Sequence, residues 1–229
     1  MPLLQRWANR PGRAVIFDFN GTLSDDEPIL LQIYTELLSE HLGWRLTPEH
    51  YYSQLAGRSD REVIETVVRA HARTSPELVA TLLAGRRQRY CELVAETSPI
   101  RPASAALVRR LAIAGVPIAV VTGAQRMDAR FVLDRSDAGR HIAVLVTEED
   151  VTRGKPDPEG FCLAAKLMGV ERSACLVFED SIPGLRAARA AGMTCIAVAG
   201  TQSRDALSPE ADAVIDPLAV DLFDVVLPR

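Results

Sequence analysis

From Pro99 onward, short apolar runs alternate with helical segments, and that alternation leaves few folds open to the chain. Residues 116–121 (VPIAVV), 142–146, 174–178, 195–198 and 213–215 read as strands. Helices are expected over 103–114, from about residue 127, over 158–168 and over 183–191, the last closed by Gly192 just past its end. One earlier run, AVIFDF at 14–19, has the same character as the later strands. Runs this short and this uniformly apolar suit strands covered on both faces. Strand and helix in alternation predict an α/β fold with a doubly wound parallel sheet.

Residues 29–96 break that rhythm. Ile29, Leu30, Ile33, Leu37 and Leu38 recur with helical spacing, as do Val63, Ile64, Val67 and Val68. Pro48 and Pro76 each stand near a helix start, with Thr47 and Ser75 as caps. The stretch reads as an insertion of three or four helices. The expected organisation is a discontinuous core of residues 1–27 and 97–229 carrying a helical domain of residues 28–96. A chain of 229 residues is long enough to bury a core for both.

Doubly wound sheets bind ligands beyond the carboxyl ends of their strands. Three of the expected strands end in reactive side chains: Asp18, then Thr122 with Gly123 and Ala124, then Glu179 with Asp180. Lys155 stands in the stiff sequence Gly154-Lys155-Pro156-Asp157-Pro158. Its identity is informative, because 24 of the 26 basic residues are Arg and only Lys155 and Lys166 are Lys. A compact ammonium cannot always be replaced by a planar guanidinium. Together these groups suit phosphoryl transfer. One carboxylate attacks, a hydroxyl and an ammonium hold the phosphoryl oxygens, and an acidic pair holds a hard cation such as Mg²⁺. A carboxylate nucleophile divides the reaction through an aspartyl-phosphate.

VIFDFNGTLSDDEP, VVTG, GKPDPEGF and FEDSIPGLRAARAAGM resemble, in order, the four motifs of the haloacid dehalogenase superfamily. The spacing is 104 residues from Asp18 to Thr122, 33 more to Lys155 and 25 more to Asp180. The position of the helical insertion resembles the subfamily with a small helical cap, which includes β-phosphoglucomutase and phosphoglycolate phosphatase-like enzymes. The resemblance implies that Asp18 is the nucleophile and a Mg²⁺ ligand, with the Asn20 carbonyl, Asp180 and Glu179 completing the metal site. It implies that Thr122 hydrogen-bonds the phosphoryl group and that Lys155 bridges it to the nucleophile. Gly21, Thr22, Gly123 and Ala124 are expected to approach the substrate. In the insertion, Gly57-Arg58-Ser59-Asp60-Arg61 resembles a substrate-specificity loop, with Arg58 and Arg61 placed to grip an anionic group.

One position departs from the family pattern. Its phosphatases usually carry Asp two residues after the nucleophile to protonate the leaving oxygen, and this chain has Asn20. An amide cannot transfer a proton in that role, and general acid–base help is worth roughly 10²–10⁴-fold. The expectation is therefore a phosphatase or phosphomutase of a small phosphorylated metabolite with activity lowered at Asn20. The alternative is a catalytically impaired phosphate-binding or regulatory protein, and a minor one is a metal-independent dehalogenase. The acidic triplet Asp25-Asp26-Glu27 is expected at the hinge, either touching substrate or solvated. Arg86-Arg87-Gln88-Arg89 is expected to be a solvated helix face.

Composition narrows the partners. The net charge of −4 is spread without a basic run, which argues against nucleic acid. No apolar stretch approaches the roughly 18 residues of a membrane span, and residues 1–13 have no signal-peptide core. Cys91, Cys162, Cys175 and Cys195 form no C-x-x-C pair and are expected as buried free thiols. The expected setting is a cytoplasmic monomer.

Overall fold

The computed structural model describes residues 2–71, 75–224 and 226. Its order is α1 (Pro2–Ala8), β1 (Ala14–Phe17), α2 (Glu27–Leu42), a short turn α3 (Pro48–His50), α4 (Asp60–His71), α5 (Pro76–Glu96) and α6 (Pro102–Ile113). There follow β2 (Ile118–Val121), α7 (Arg126–Leu133), β3 (Val144–Val146), α8 (Glu159–Met168), β4 (Cys175–Glu179), α9 (Ile182–Ala190), β5 (Thr194–Val198), α10 (Arg204–Leu207) and β6 (Ala213–Ile215). The six strands form one sheet in the order β3-β2-β1-β4-β5-β6, and every pairing is parallel. This is the doubly wound sheet that the alternation predicts.

The strands carry no polar face because both faces are covered. Val15, Phe17, Ile118, Val120, Leu176 and Phe178 belong to one core, while Ala14, Ile16, Ala119, Val121, Cys175 and Val177 belong to the other. Period-two alternation thus sorts large side chains to one side and smaller ones to the other. On the bulky side Phe17 and Phe178 stack at 5.2 Å between centroids. The helix α1 lies outside every sequence expectation. Its Trp7 is buried, and its indole N–H reaches the carbonyls of Ala14 (3.3 Å) and Ala174 (3.1 Å) at the lower ends of β1 and β4. Of the four thiols, Cys175 and Cys195 are buried whereas Cys91 and Cys162 are only half-buried.

Between β1 and β2 the chain forms the expected run of helices. The Thr47 hydroxyl accepts from the His50 amide and the Ser75 hydroxyl from the Leu78 amide, as capping residues do. Helix α5 packs against α2 and α4 and also reaches α7 on the flank of the sheet. The two strands of chain that leave and re-enter the sheet layer run side by side. Ser24 bridges Ile100 in antiparallel fashion, the Asp25 amide donates to the Pro99 carbonyl at 2.9 Å, and Asp25 pairs with Arg101 at 2.8 Å.

The run at 86–89 corrects the expectation of a solvated face. Arg86 is 2% exposed and enclosed by Asp60, Asp128 and the Tyr90 ring. Arg87 bonds Gln125 and Arg89 pairs with Glu40. Both acidic partners of Arg86 come from other helices, so the local sequence carries no sign of them.

Candidate active site

Register brings the reactive strand ends together. Phe17 pairs with both Val120 and Phe178, so Asp18 emerges level with Glu179 at the carboxyl edge, and Thr122 follows one residue beyond on the other neighbouring strand. The Asp18 amide donates to the Phe178 carbonyl and the Thr122 amide to the Val146 carbonyl, both at 2.9 Å, which carries the ladder into the loops. Asp18, Asn20, Thr122, Gly123, Ala124, Lys155, Glu179 and Asp180 line one pocket, closed from above by Tyr34, Tyr51 and Arg58 of the helical insertion.

Lys155 is the one cation at the floor of this pocket among the described residues. Its ammonium pairs with Asp18 and, at 2.6 Å, with Glu179. Burial would strip its charge, but the two carboxylates hold its pKa above the usual lysine range. The Asp18 carboxyl is pushed up to about 7 by burial, which outweighs the Lys155 ammonium, with the Glu179 charge adding to the rise. Burial likewise raises Asp180, reinforced by Glu179 and Asp18. The floor thus holds three buried carboxylates against one ammonium.

That imbalance fits a divalent cation. One oxygen from each of Asp18, Glu179 and Asp180 lies within 4.8 Å of the others. Asp180 Oδ1 accepts from the Thr22 hydroxyl at 3.2 Å, while the buried Oδ2 has no hydrogen-bond partner among the described residues. An all-oxygen, acidic donor set of this kind suits Mg²⁺. Two glycines make room for it. A Cβ at Gly21, where φ is +78°, would sit 2.1 Å from Asp180 Oδ2, and one at Gly184 would sit 1.7 Å from Glu179 Oε1. Glu179 Oε2 accepts from the Ser181 amide at 2.6 Å and its hydroxyl at 2.9 Å. The Ser181 hydroxyl in turn accepts from the Gly184 amide in the first turn of α9.

A match to the haloacid dehalogenase-like hydrolase family spans residues 13–192, most of the chain. The chain belongs to the haloacid dehalogenase-like hydrolases. The hydrolase is 32% identical over 213 residues to validoxylamine A 7'-phosphate phosphatase of Streptomyces hygroscopicus subsp. limoneus, covering 90% of this chain and 94% of that protein. It is 30% identical over 190 residues to the protein CbbY of Rhodobacter capsulatus, covering 80% of this chain and 84% of that one. A crystal structure of a CbbY variant from Rhodobacter sphaeroides in complex with xylulose-(1,5)bisphosphate superposes with a TM-score of 0.78, at 28% identity over 90% of this chain and 94% of that one. With relatives named as phosphatases, the hydrolase is phosphatase-like.

The remaining residues singled out in the sequence divide by position. Arg58 lines the pocket, whereas Arg61 points to an outer groove beside Glu65, Arg69 and Arg87. Thr22 is buried and turned to Asp180. The acidic triplet separates completely: Asp25 faces Arg101, Asp26 is fully buried behind Asn20, and Glu27 lines the pocket. Asp60, from the loop singled out at 57–61, also reaches the pocket, as do Tyr34 and Tyr51, which no motif in the sequence marks. Among the described residues, no helix is long and apolar enough to cross a membrane.

Proposed function

We propose that the hydrolase is a Mg²⁺-dependent phosphatase of small phosphorylated sugars or polyols that works through an aspartyl-phosphate on Asp18. The observation that carries this reading is the buried Asp18 carboxylate, ion-paired to Lys155 and grouped with Glu179 and Asp180 at one sheet edge. In this scheme an Asp18 oxygen attacks phosphorus and the ester P–O bond breaks. Water then cleaves the acyl phosphate to free Asp18 and inorganic phosphate. The Thr122 hydroxyl and the Lys155 ammonium hold the phosphoryl oxygens as charge builds on them. The Thr122 hydroxyl also accepts from the Ala124 amide at 3.0 Å, which fixes its orientation. Mg²⁺, held by Asp18, Asp180, Glu179 and the Asn20 carbonyl, would neutralise phosphoryl charge and offset the crowding of carboxylates. The acidic, oxygen-only cluster favours this over a metal-independent dehalogenase.

Residues 28–96 act in this reading as a cap over a core of 1–27 and 97–229. The leaving group lies between them, facing Arg58, Glu27 and the tyrosines. One named relative is a validoxylamine A 7'-phosphate phosphatase and the CbbY variant holds xylulose-(1,5)bisphosphate, which supports that substrate class. The test is a panel of phosphorylated metabolites assayed for phosphate release with Mg²⁺ and with EDTA, on the natural chain and on Asp18→Asn. Release that needs both Mg²⁺ and Asp18 is the expected result. Asn20 favours one other reading, a phosphate-binding protein without turnover. Tight binding of phosphorylated ligands with no release across the panel would establish it.

A further inference from the structure

An alkyl phosphate cannot leave readily without a proton on its oxygen. Asn20 cannot supply one, and its amide is already engaged. Nδ2 donates to Asp26 Oδ2 at 2.8 Å, and Oδ1 accepts from the Thr122 hydroxyl at 3.4 Å. The structure narrows the other candidates. Asp25 is turned to Arg101 and lines a different hollow. Asp26 is sealed behind Asn20 under the Tyr90 hydroxyl, outside the pocket. Asp60 reaches the pocket but is bound by Arg86 at 3.0 Å and by the Tyr34 hydroxyl. Asp18, Glu179 and Asp180 form the acidic floor.

Glu27 remains. It lines the pocket together with Asp18, Asn20 and Thr122, is 5% exposed, and has no ion-pair partner among the described residues. Its one hydrogen-bond donor there is the Tyr51 hydroxyl, which reaches Oε2 at 2.6 Å. We propose that Glu27 is the carboxylic acid that protonates the leaving oxygen, in place of the residue that Asn20 replaces.

The inference rests on Asp18 as nucleophile. As the Asp18 oxygen bonds phosphorus and the ester P–O bond breaks, the Glu27 proton passes to the departing oxygen, giving an alcohol and a Glu27 carboxylate. When water attacks the aspartyl-phosphate, Glu27 takes the proton that the water gives up, and both carboxyl groups return to their starting forms. Burial pushes the Glu27 carboxyl up to about 8, opposed by the Tyr51 hydrogen bond and reinforced by the Asp26, Asp18 and Asp60 charges. The acid is therefore protonated near neutral pH. Its place in the first turn of α2 favours the carboxylate that transfer leaves behind.

The experiment compares p-nitrophenyl phosphate, whose leaving group needs little protonation, with phenyl phosphate, whose leaving group needs more. Pre-steady-state rates are measured with Mg²⁺ on the natural chain, Glu27→Gln, Asn20→Asp/Glu27→Gln and Asp18→Asn. Gln preserves the acceptor for Tyr51. Glu27→Gln should lose at least about 10²-fold on phenyl phosphate and far less on p-nitrophenyl phosphate. Adding Asn20→Asp to that variant should restore most of the phenyl phosphate rate, because it places a carboxyl at the other approach to the same oxygen. Equal loss on both esters, no loss on either, or no restoration would overturn the role of Glu27. Hydrolysis of p-nitrophenyl phosphate by Asp18→Asn would instead overturn the nucleophile beneath it, so the two failures are told apart.

Discussion

Arg86 of α5 and Asp128 of α7 form an ion pair in which each side chain is only 2% exposed, joining the helical insertion to the flank of the sheet. Arg86 also holds Asp60 at 3.0 Å, so a single guanidinium is shared between two buried carboxylates. Desolvation pushes Asp128 up to about 6 even against that guanidinium. Removing one partner of a buried pair strands the other charge. Arg86→Ala should therefore cost about 3–5 kcal/mol, read from urea unfolding. A loss below about 1 kcal/mol would place this pair with ordinary surface ion pairs.

The same pair ties the proposed cap to the flank of the sheet, away from the joint about which the cap turns. The two connecting segments, around 24–28 and 96–102, lie side by side through the Ser24–Ile100 bridge. Asp128→Asn should loosen the closed arrangement and enlarge the radius of gyration of the ligand-free protein in solution scattering. Identical scattering from both proteins, with and without a phosphorylated ligand, would count against a mobile cap.

Lys155→Arg keeps the charge and should still lower turnover by about 10²-fold, the scale of one lost transition-state contact. The ammonium fits between Asp18 and Glu179, and a planar fork does not match both carboxylates and a phosphoryl group at once. An unchanged rate would make Lys155 a bystander. The measurement is kcat on any ester that the natural chain cleaves.

At Gly21 a methyl group meets Asp180 Oδ2 at 2.1 Å, and the backbone lies in the left-handed region with φ at +78°. Gly21→Ala should weaken Mg²⁺ binding, followed by calorimetric titration, and should destabilise the fold by more than about 1 kcal/mol. Wild-type metal affinity in this variant would argue that Asp180 is not a ligand.

The buried carboxyls also set the pH dependence of stability. Glu27 rises from the usual glutamate value of 4.5 to about 8 and Asp18 from 3.8 to about 7. Between those limits the folded state holds protons that the unfolded chain has released. The stabilisation is complete below the unfolded values and is lost as pH rises through the folded ones. In EDTA, stability should fall between about pH 5 and about pH 8, and Glu27→Gln should flatten that slope. Mg²⁺ should restore stability most at the upper end, where the carboxyls are ionised. Unfolding curves that rise with pH over this range would contradict the burial described here.

What the sequence by itself determined is what depends on local pattern. The apolar runs before Asp18, Thr122 and Glu179 mark strands because a strand covered on both faces needs every side chain apolar. The parallel register then follows from alternation with helices, and the strand ends converge without further information. Tertiary structure alone decided how neighbouring residues with the same chemistry were used. Asp25, Asp26 and Glu27 are consecutive acids, yet one faces Arg101, one is sealed by Tyr90, and one enters the pocket. Arg58 and Arg61 are three residues apart and face different cavities. Arg86 looks like solvated surface until Asp60 and Asp128 close on it from α4 and α7. The reason is that desolvation and charge pairing depend on which distant groups arrive within a few ångströms. Only the packed helices supply those groups.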